Sequence, residues 1–259
     1  MRNRPYRKFG LLFNASGFVY AAIQPTSPGI GRTLEDQIMT EQSPPNRCRI
    51  VLISPAGEST DSFAAKFAAA ISGGDVASII LPANGMDEAS YQAFAERIVP
   101  IAQAAGVAAI VVDDTRIAGR VKADGIHIEG GKAALAEAIE SFQSKMAVGA
   151  GGVKSRDDAL ELGEERPDYV FFGRFGYDTR PEPHQRNLSL GSWWAEMVEI
   201  PGIVMAGSDI ATVETVAATG TDFVALSAAI FGEGVDPRAA VARANALLDA
   251  TAPRFELAG

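Results

Sequence analysis

The strongest constraint on the fold is a pair of short apolar segments near the end of the chain, joined by an amphipathic stretch. The first segment ends in Gly207-Ser208 and the second ends in Ser227-Ala228. Continuous apolar segments separated by a helical pattern predict two parallel strands that are buried on both faces. The small residues that follow each strand leave backbone N–H groups available to a phosphate. We therefore predict that Gly207, Ser208, Ser227 and Ala228 bind a phosphate group of the substrate.

The same alternation of strand and helix patterns extends over most of the sequence. The predicted strands cover residues 50–54, 76–81, 107–112, 125–128, 146–149, 169–172, 203–206 and 223–226. The predicted helices cover residues 62–72, 89–104, 117–122, 133–142, 156–162, 193–198, 210–218 and 237–248. Eight such units in about 200 residues favour an α/β fold of the (β/α)8 TIM-barrel type. An open doubly wound sheet is the alternative, because the number of strands does not establish that the sheet closes.

The predicted barrel domain comprises residues 48–252, a length that suits a single domain. Residues 1–47 are predicted to be an N-terminal extension that is disordered or that precedes a true start at Met39. The basic residues and apolar stretch at its beginning also resemble a secretory signal, but polar residues interrupt the apolar stretch. Residues 253–259 are predicted to be a C-terminal tail.

Composition excludes several classes of partner. The net charge of −9 argues against binding to nucleic acids and to anionic membranes, since both require a basic surface. The single cysteine, Cys48, excludes an intrachain disulfide framework and predicts a cytoplasmic protein. The expected partners are phosphorylated small molecules, and the sequence leaves open whether the chain forms a homo-oligomer.

Polar side chains follow the third predicted strand and lie near the end of the fourth. Asp113 and Asp114 come directly after the third strand, where carboxylates bind Mg²⁺ or cap the helix that begins at Thr115. His127 lies in the fourth strand, where it acts in catalysis or packs as a hydrogen-bonded structural residue. In a barrel both strands end on the catalytic face.

A long polar segment, residues 173–191, follows the sixth predicted strand. It contains Arg174 and Arg180, and each guanidinium group can bind two phosphate oxygens at once. Long loops after barrel strands are usually functional. The alternative is a solvated loop in which the arginines pair with Asp178 and Glu182.

Four sequence blocks together resemble the thiamine phosphate synthase family, which also includes the thiazole tautomerases. They are Val-Asp-Asp at 112–114, Ala-Asp-Gly-Ile-His-Ile at 123–128, Pro-Asp-Tyr-Val-Phe-Phe-Gly at 167–173, and residues 203–231. The resemblance implies a TIM barrel and a transferase. Such an enzyme joins 4-amino-2-methyl-5-hydroxymethylpyrimidine diphosphate to a thiazole phosphate, with Mg²⁺, and releases diphosphate.

The resemblance also implies roles for individual residues. Asp114 occupies the position of a Mg²⁺-binding aspartate, and Asp113 replaces an asparagine that binds diphosphate. Together with the residues singled out above, this predicts Asp113, His127, Arg174 and Arg180 as catalytic residues and Asp114 as the metal ligand.

The chain departs from the family pattern on the diphosphate side. Leu81 and Ala83 stand where the family has an arginine and a lysine after the second strand, and the position of a second metal-binding aspartate falls near Lys132. A Ser-x-His-Thr segment after the fifth strand is replaced by residues 149–153, Gly-Ala-Gly-Gly-Val. Two other hypotheses follow from these changes: a barrel that binds thiazole phosphate or thiamine phosphate without turnover, and an enzyme acting on another phosphorylated heterocycle or sugar.

Overall fold

A computed structural model describes residues 44–255. Its strands are β1 (Arg49–Ile53), β2 (Ser78–Leu81), β3 (Ala108–Val112), β4 (Gly125–Ile128), β5 (Ala147–Ala150), β6 (Tyr169–Phe172), β7 (Gly202–Met205) and β8 (Phe223–Leu226). They form one closed barrel of eight strands in sequence order. Parallel pairing of β1 with β8, from Arg49 opposite Phe223 to Leu52 opposite Leu226, closes the sheet. The predicted TIM barrel is confirmed, and the open sheet is excluded.

Helices cover the outside of the barrel. They are α1 (Thr60–Ile71), α2 (Glu88–Ala104), α3 (Thr115–Val121), α4 (Gly131–Phe142), α5 (Arg156–Glu164), α6 (Gln185–Met197), α7 (Thr212–Ala217), α8 (Ala228–Phe231) and α9 (Pro237–Thr251). Alternate strand positions separate two apolar layers, because successive side chains of a strand point to opposite faces. The inner layer consists of strand residues and of Ala77 directly before β2, with Tyr169, Phe171 and Phe223 the largest, and the outer layer packs the strands against the helices.

The segment after β6 differs from its prediction. Helix α6 begins at Gln185, so the connecting loop comprises residues 173–184 and is shorter than predicted. Two features hid this helix start: its N-cap is His184, outside the usual set of capping residues, and Gly191 lies within the helix. Gly191 is required there because a Cβ atom would lie 2.3 Å from Val204 on the adjacent strand.

Three aspartates link the amino-terminal ends of neighbouring strands through hydrogen bonds. Asp124, Asp168 and Asp222 each directly precede an even-numbered strand. Their carboxylates accept hydrogen bonds from the backbone N–H of Ala109 (2.8 Å) on β3, of Val148 (2.8 Å) on β5 and of Gly202 (2.9 Å) on β7, respectively. These bonds tie β3, β5 and β7 to the residues that lead into β4, β6 and β8.

The two ends of the described chain meet at this same end of the barrel. Arg47 is buried and donates hydrogen bonds to Asp249 (2.8 Å) and Asn245 (2.9 Å) on α9. Arg47 also pairs with Arg254 in an isolated antiparallel bridge. The predicted extension up to residue 43 and the tail beyond residue 255 lie outside the described residues. None of the described helices has both the length and the apolar character needed to cross a membrane.

Candidate active site

All the predicted site residues lie at or just beyond the carboxyl ends of strands. Asp113 follows β3, His127 belongs to β4, and the loop that carries Arg174 and Arg180 follows β6. The two turns predicted to bind phosphate follow β7 and β8. This is the face on which barrel enzymes place their active sites.

The turn after β8 leads into the short extra helix α8, whose first backbone N–H is occupied by a carboxylate. Asp178, in the loop after β6, is only 6% exposed. Its Oδ2 atom accepts a hydrogen bond of 2.6 Å from the N–H of Ala228. An aspartate therefore lies where the sequence predicts a phosphate.

The turn after β7 is occupied by the same loop. The N–H groups of Ser208 and Asp209 donate to the carbonyl oxygens of Arg180 (2.7 Å) and Pro181 (3.2 Å). A Cβ atom on Gly207 would lie 2.0 Å from the Pro181 oxygen, so only glycine permits this approach. The N–H groups of Gly207, Ser208 and Ala228 are thus engaged in this conformation, and phosphate binding at the two turns stays a prediction.

His127 is fully buried inside the barrel mouth, surrounded by aromatic rings. Its ring stacks on Tyr169 and meets the edges of Phe171 and Phe175 at centroid distances of 5.7 and 5.4 Å. Its Nδ1 atom lies 3.0 Å from the Tyr169 hydroxyl oxygen. Burial raises the pKa of Tyr169 well above its ordinary value, so this hydroxyl keeps its proton.

Sequence reasoning missed Glu129. Its Oε1 atom lies 3.7 Å from Nε2 of His127, and both atoms are buried without a hydrogen-bond partner among the described residues. Gly151, after β5, packs against the pair, because a Cβ atom there would lie 2.4 Å from Nε2 and 2.8 Å from Oε1. The sequence signal for this contact was the run of glycines after β5. Glycine leaves room there for the side chains of His127 and Glu129, which come from the end of β4.

Asp113 holds the end of β4 in place. Its φ of 57° lies in the left-handed region, which aspartate and asparagine adopt more readily than most residues. In this conformation its N–H donates to the carbonyl of His127 (2.9 Å), and its Oδ1 atom accepts from the N–H of Glu129 (2.8 Å). Asp113 therefore fixes the backbone on both sides of Ile128.

Asp114 caps helix α3, as one of the two sequence hypotheses stated. Its Oδ1 atom accepts hydrogen bonds from the N–H groups of Arg116 (3.0 Å) and Ile117 (2.8 Å). Its Oδ2 atom accepts none from any described residue. No group of three or more potential metal ligands exists within residues 44–255. Mg²⁺ is commonly bound by one or two carboxylates together with substrate phosphates, so Asp114 suits an ion that is shared with a substrate.

The cations near the mouth differ in availability. Arg174 lies over the exposed ring of Tyr177 at 4.0 Å, and neither Arg174 nor Arg180 forms an ion pair with a described residue. Lys132 instead pairs with Glu164 at 2.7 Å. Leu81, at the position of the family's arginine, is fully buried in the outer apolar layer.

Comparison with known proteins supplies the family. The family model described as thiamine monophosphate synthase (TMP-TENI) matches residues 50–230. The chain is 32% identical to a thiamine-phosphate synthase of Rhodospirillum centenum over 78% of this chain and 98% of that protein. It is 29% identical to a thiamine-phosphate synthase of Hyphomonas neptunium over 83% of this chain and all of that protein.

Solved structures support the same fold. The thiamine phosphate pyrophosphorylase of Pyrococcus furiosus superposes with a TM-score of 0.66 at 20% identity, over 80% of this chain and 98% of that one. A 3-hexulose-6-phosphate synthase follows with a TM-score of 0.60 at 19% identity, over 76% of this chain and 99% of that one. At these identities the structures bear on the fold alone. The match to the family model and the identity to the Rhodospirillum centenum protein decide the family: the chain belongs to the thiamine monophosphate synthase family.

Proposed function

We propose that the protein is a thiamine-phosphate synthase. The observation that carries the proposal is sequence similarity over the whole barrel to relatives of that name, including nearly the full length of the Rhodospirillum centenum enzyme. The protein is accordingly a transferase that acts on two phosphorylated small molecules. A cytoplasmic location is part of the proposal and agrees with the single cysteine in the sequence.

The reaction exchanges one bond for another. The bond between the methylene carbon of the pyrimidine and the diphosphate oxygen breaks, and its electron pair leaves with the diphosphate. The lone pair of the thiazole nitrogen then forms the new carbon–nitrogen bond. Because positive charge develops on the pyrimidine and negative charge on the leaving group, catalysis requires electrostatic stabilisation rather than a protein nucleophile.

We assign each phosphorylated group a separate place at the barrel mouth. The turns at Gly207-Ser208 and Ser227-Ala228 are suited to the monophosphate of the thiazole. Arg174 and Arg180, which have no ion-pair partner among the described residues, would bind the diphosphate. The monophosphate reaches the turn after β8 only if Asp178 in the loop 173–184 moves, since its carboxylate occupies the N–H of Ala228.

Asp114 would hold Mg²⁺ through its Oδ2 atom while its Oδ1 atom keeps capping α3. When bound, the ion neutralises charge on the leaving diphosphate. Asp113 acts beside it as a positioning residue that fixes the end of β4. His127 lies on the inner wall, where its ring and those of Phe171 and Phe175 would contact the pyrimidine.

The experiment uses mass spectrometry to measure the formation of thiamine phosphate from the two substrates in the presence of Mg²⁺. The informative variant is Asp114→Asn, which keeps an oxygen for the helix cap but removes the charge. We expect turnover in the wild type. The variant should need at least about tenfold more Mg²⁺ for the same turnover, and its thermal stability should be unchanged. Absence of product at high concentrations of enzyme would overturn the proposal, and calorimetric binding of thiazole phosphate without turnover would identify a binding protein instead.

A further inference from the structure

Two buried polar atoms at the barrel mouth lack hydrogen bonds, and they lie side by side. Nε2 of His127 and Oε1 of Glu129 are 3.7 Å apart, too far for a hydrogen bond, and neither has another partner within residues 44–255. A buried polar atom without a partner is destabilising, and such atoms are rare in folded proteins. Two of them side by side on the catalytic face indicate a ligand that satisfies both.

The tautomer of His127 sets which atom donates. When the Tyr169 hydroxyl donates its proton to Nδ1 of His127, the neutral imidazole carries its hydrogen on Nε2. Nε2 is then a donor, while an ionised Glu129 can only accept. The pair therefore presents one donor and one acceptor, side by side. A ring nitrogen next to an exocyclic amino group presents the complementary pattern.

We propose that His127 and Glu129 together recognise the amino-substituted edge of the pyrimidine substrate, with Glu129 as the residue that selects for the amino group. This inference rests on the proposed function, which supplies an aminopyrimidine as substrate. Nε2 of His127 donates to a ring nitrogen, and Oε1 of Glu129 accepts from the amino group. Each of these two atoms gains a partner.

The walls around the pair suit a flat aromatic ring. Phe171 and Phe175 stack on each other at 5.2 Å, and both present their rings to His127. Gly151 closes the third side and leaves no room for a side chain beside Nε2. Phe175 belongs to the same loop as Asp178, so movement of this loop would displace both the ring beside His127 and the carboxylate at Ala228.

The test compares two compounds that differ only in the amino group. Calorimetry measures binding of 4-amino-2-methyl-5-hydroxymethylpyrimidine and of its analogue without the amino group, to the full chain and to Glu129→Ala. Hydrogen bonds to charged groups predict that the wild type prefers the amino compound by on the order of 10- to 100-fold. Glu129→Ala should bind the two compounds equally, and Glu129→Gln, which retains an acceptor oxygen, should keep part of the preference. Glu140→Ala, at an exposed position on α4, is the matched control and should keep all of it.

Two outcomes would overturn the proposal. In one, Glu129→Ala loses thermal stability but discriminates between the compounds as the wild type does, which would make the pair a structural contact. In the other, the wild type binds both compounds equally. If Glu129→Ala fails to fold, Glu129→Gln carries the same test, because its side chain has nearly the same size. Neither measurement requires turnover, so failure of this inference and failure of the synthase reaction are separate results.

Discussion

The two ends of the barrel differ in how completely they satisfy their polar groups. At the amino-terminal end, Asp124, Asp168 and Asp222 each accept a backbone hydrogen bond from an adjacent strand. At the carboxyl-terminal end lie all three buried side-chain atoms that lack a partner within residues 44–255, which belong to Ser54, His127 and Glu129. The first end satisfies its own polar groups, and the second leaves some of them for a ligand.

This difference separates stability from function within one fold. Groups that are satisfied internally contribute to folding and have nothing left to offer a substrate. Groups without partners lower the stability of the fold. Proteins keep such groups mainly at functional sites, where they serve binding or catalysis. Substitutions at the amino-terminal end should therefore change the free energy of unfolding, and substitutions at the mouth should change substrate binding.

The largest effect is expected from Gly151→Ala at the mouth. The new Cβ atom would lie 2.4 Å from Nε2 of His127, so the imidazole or the end of β5 must shift. A displacement of about 1 Å in an active site costs on the order of 100-fold in rate. Steady-state kinetics should show this loss, while Gly119→Ala, where the new Cβ atom meets nothing within 4 Å, should leave kcat and KM unchanged. Equal kinetics in both variants would contradict a functional role for the pair.

At the other end, Asp222→Ala should affect folding alone. The substitution leaves the buried N–H of Gly202 without its acceptor, which costs about 1–3 kcal/mol in the free energy of unfolding. Urea titration measures the loss, and Asp222→Asn should show a smaller one because the amide oxygen still accepts. The KM for both substrates should not change, since Asp222 lies at the end opposite the mouth. A change in KM at unchanged stability would break the comparison.

The sequence was sufficient for the fold because its signals are local. Eight apolar segments alternate with amphipathic ones, and each pattern depends only on neighbouring residues. The start of α6 escaped prediction for a tertiary reason. Gly191 weakens the helix pattern, yet it is needed for close packing against Val204, which lies on another strand.

The site was predictable in position but not in its contacts. The turns after β7 and β8 lie where the sequence indicates. The carboxylate that occupies Ala228 comes from Asp178, which is 50 residues away in the chain. The importance of Glu129 likewise depends on Gly151 and on a histidine two positions earlier. No local pattern encodes such contacts.

Asp178→Asn should bind phosphate more tightly than the wild type. The neutral side chain is a weaker competitor for the N–H of Ala228, because hydrogen bonds to charged acceptors are about twice as strong as neutral ones. We expect roughly a fivefold gain in affinity for inorganic phosphate, equivalent to about 1 kcal/mol. Glu182→Gln removes the same charge from an exposed position of the same loop and is the matched control. Weaker binding by Asp178→Asn alone would instead mean that the carboxylate orders the loop for the ligand.

The smallest effect is expected from Asp249→Asn, on the amino-terminal side. The hydrogen bond from Arg47 lowers the pKa of Asp249, whose side chain is 58% exposed. A lowered pKa means that the charged form stabilises the fold above the unfolded pKa of about 3.9. That contribution is lost as the pH falls through the lower folded pKa. Solvent screening limits it to about 0.2–1 kcal/mol. Unfolding free energies of wild type and Asp249→Asn should therefore differ at pH 6 and converge toward pH 2, with Glu137→Gln as a control at an exposed position on α4. A difference that stays constant over this range would show that Asp249 acts by packing and not by charge.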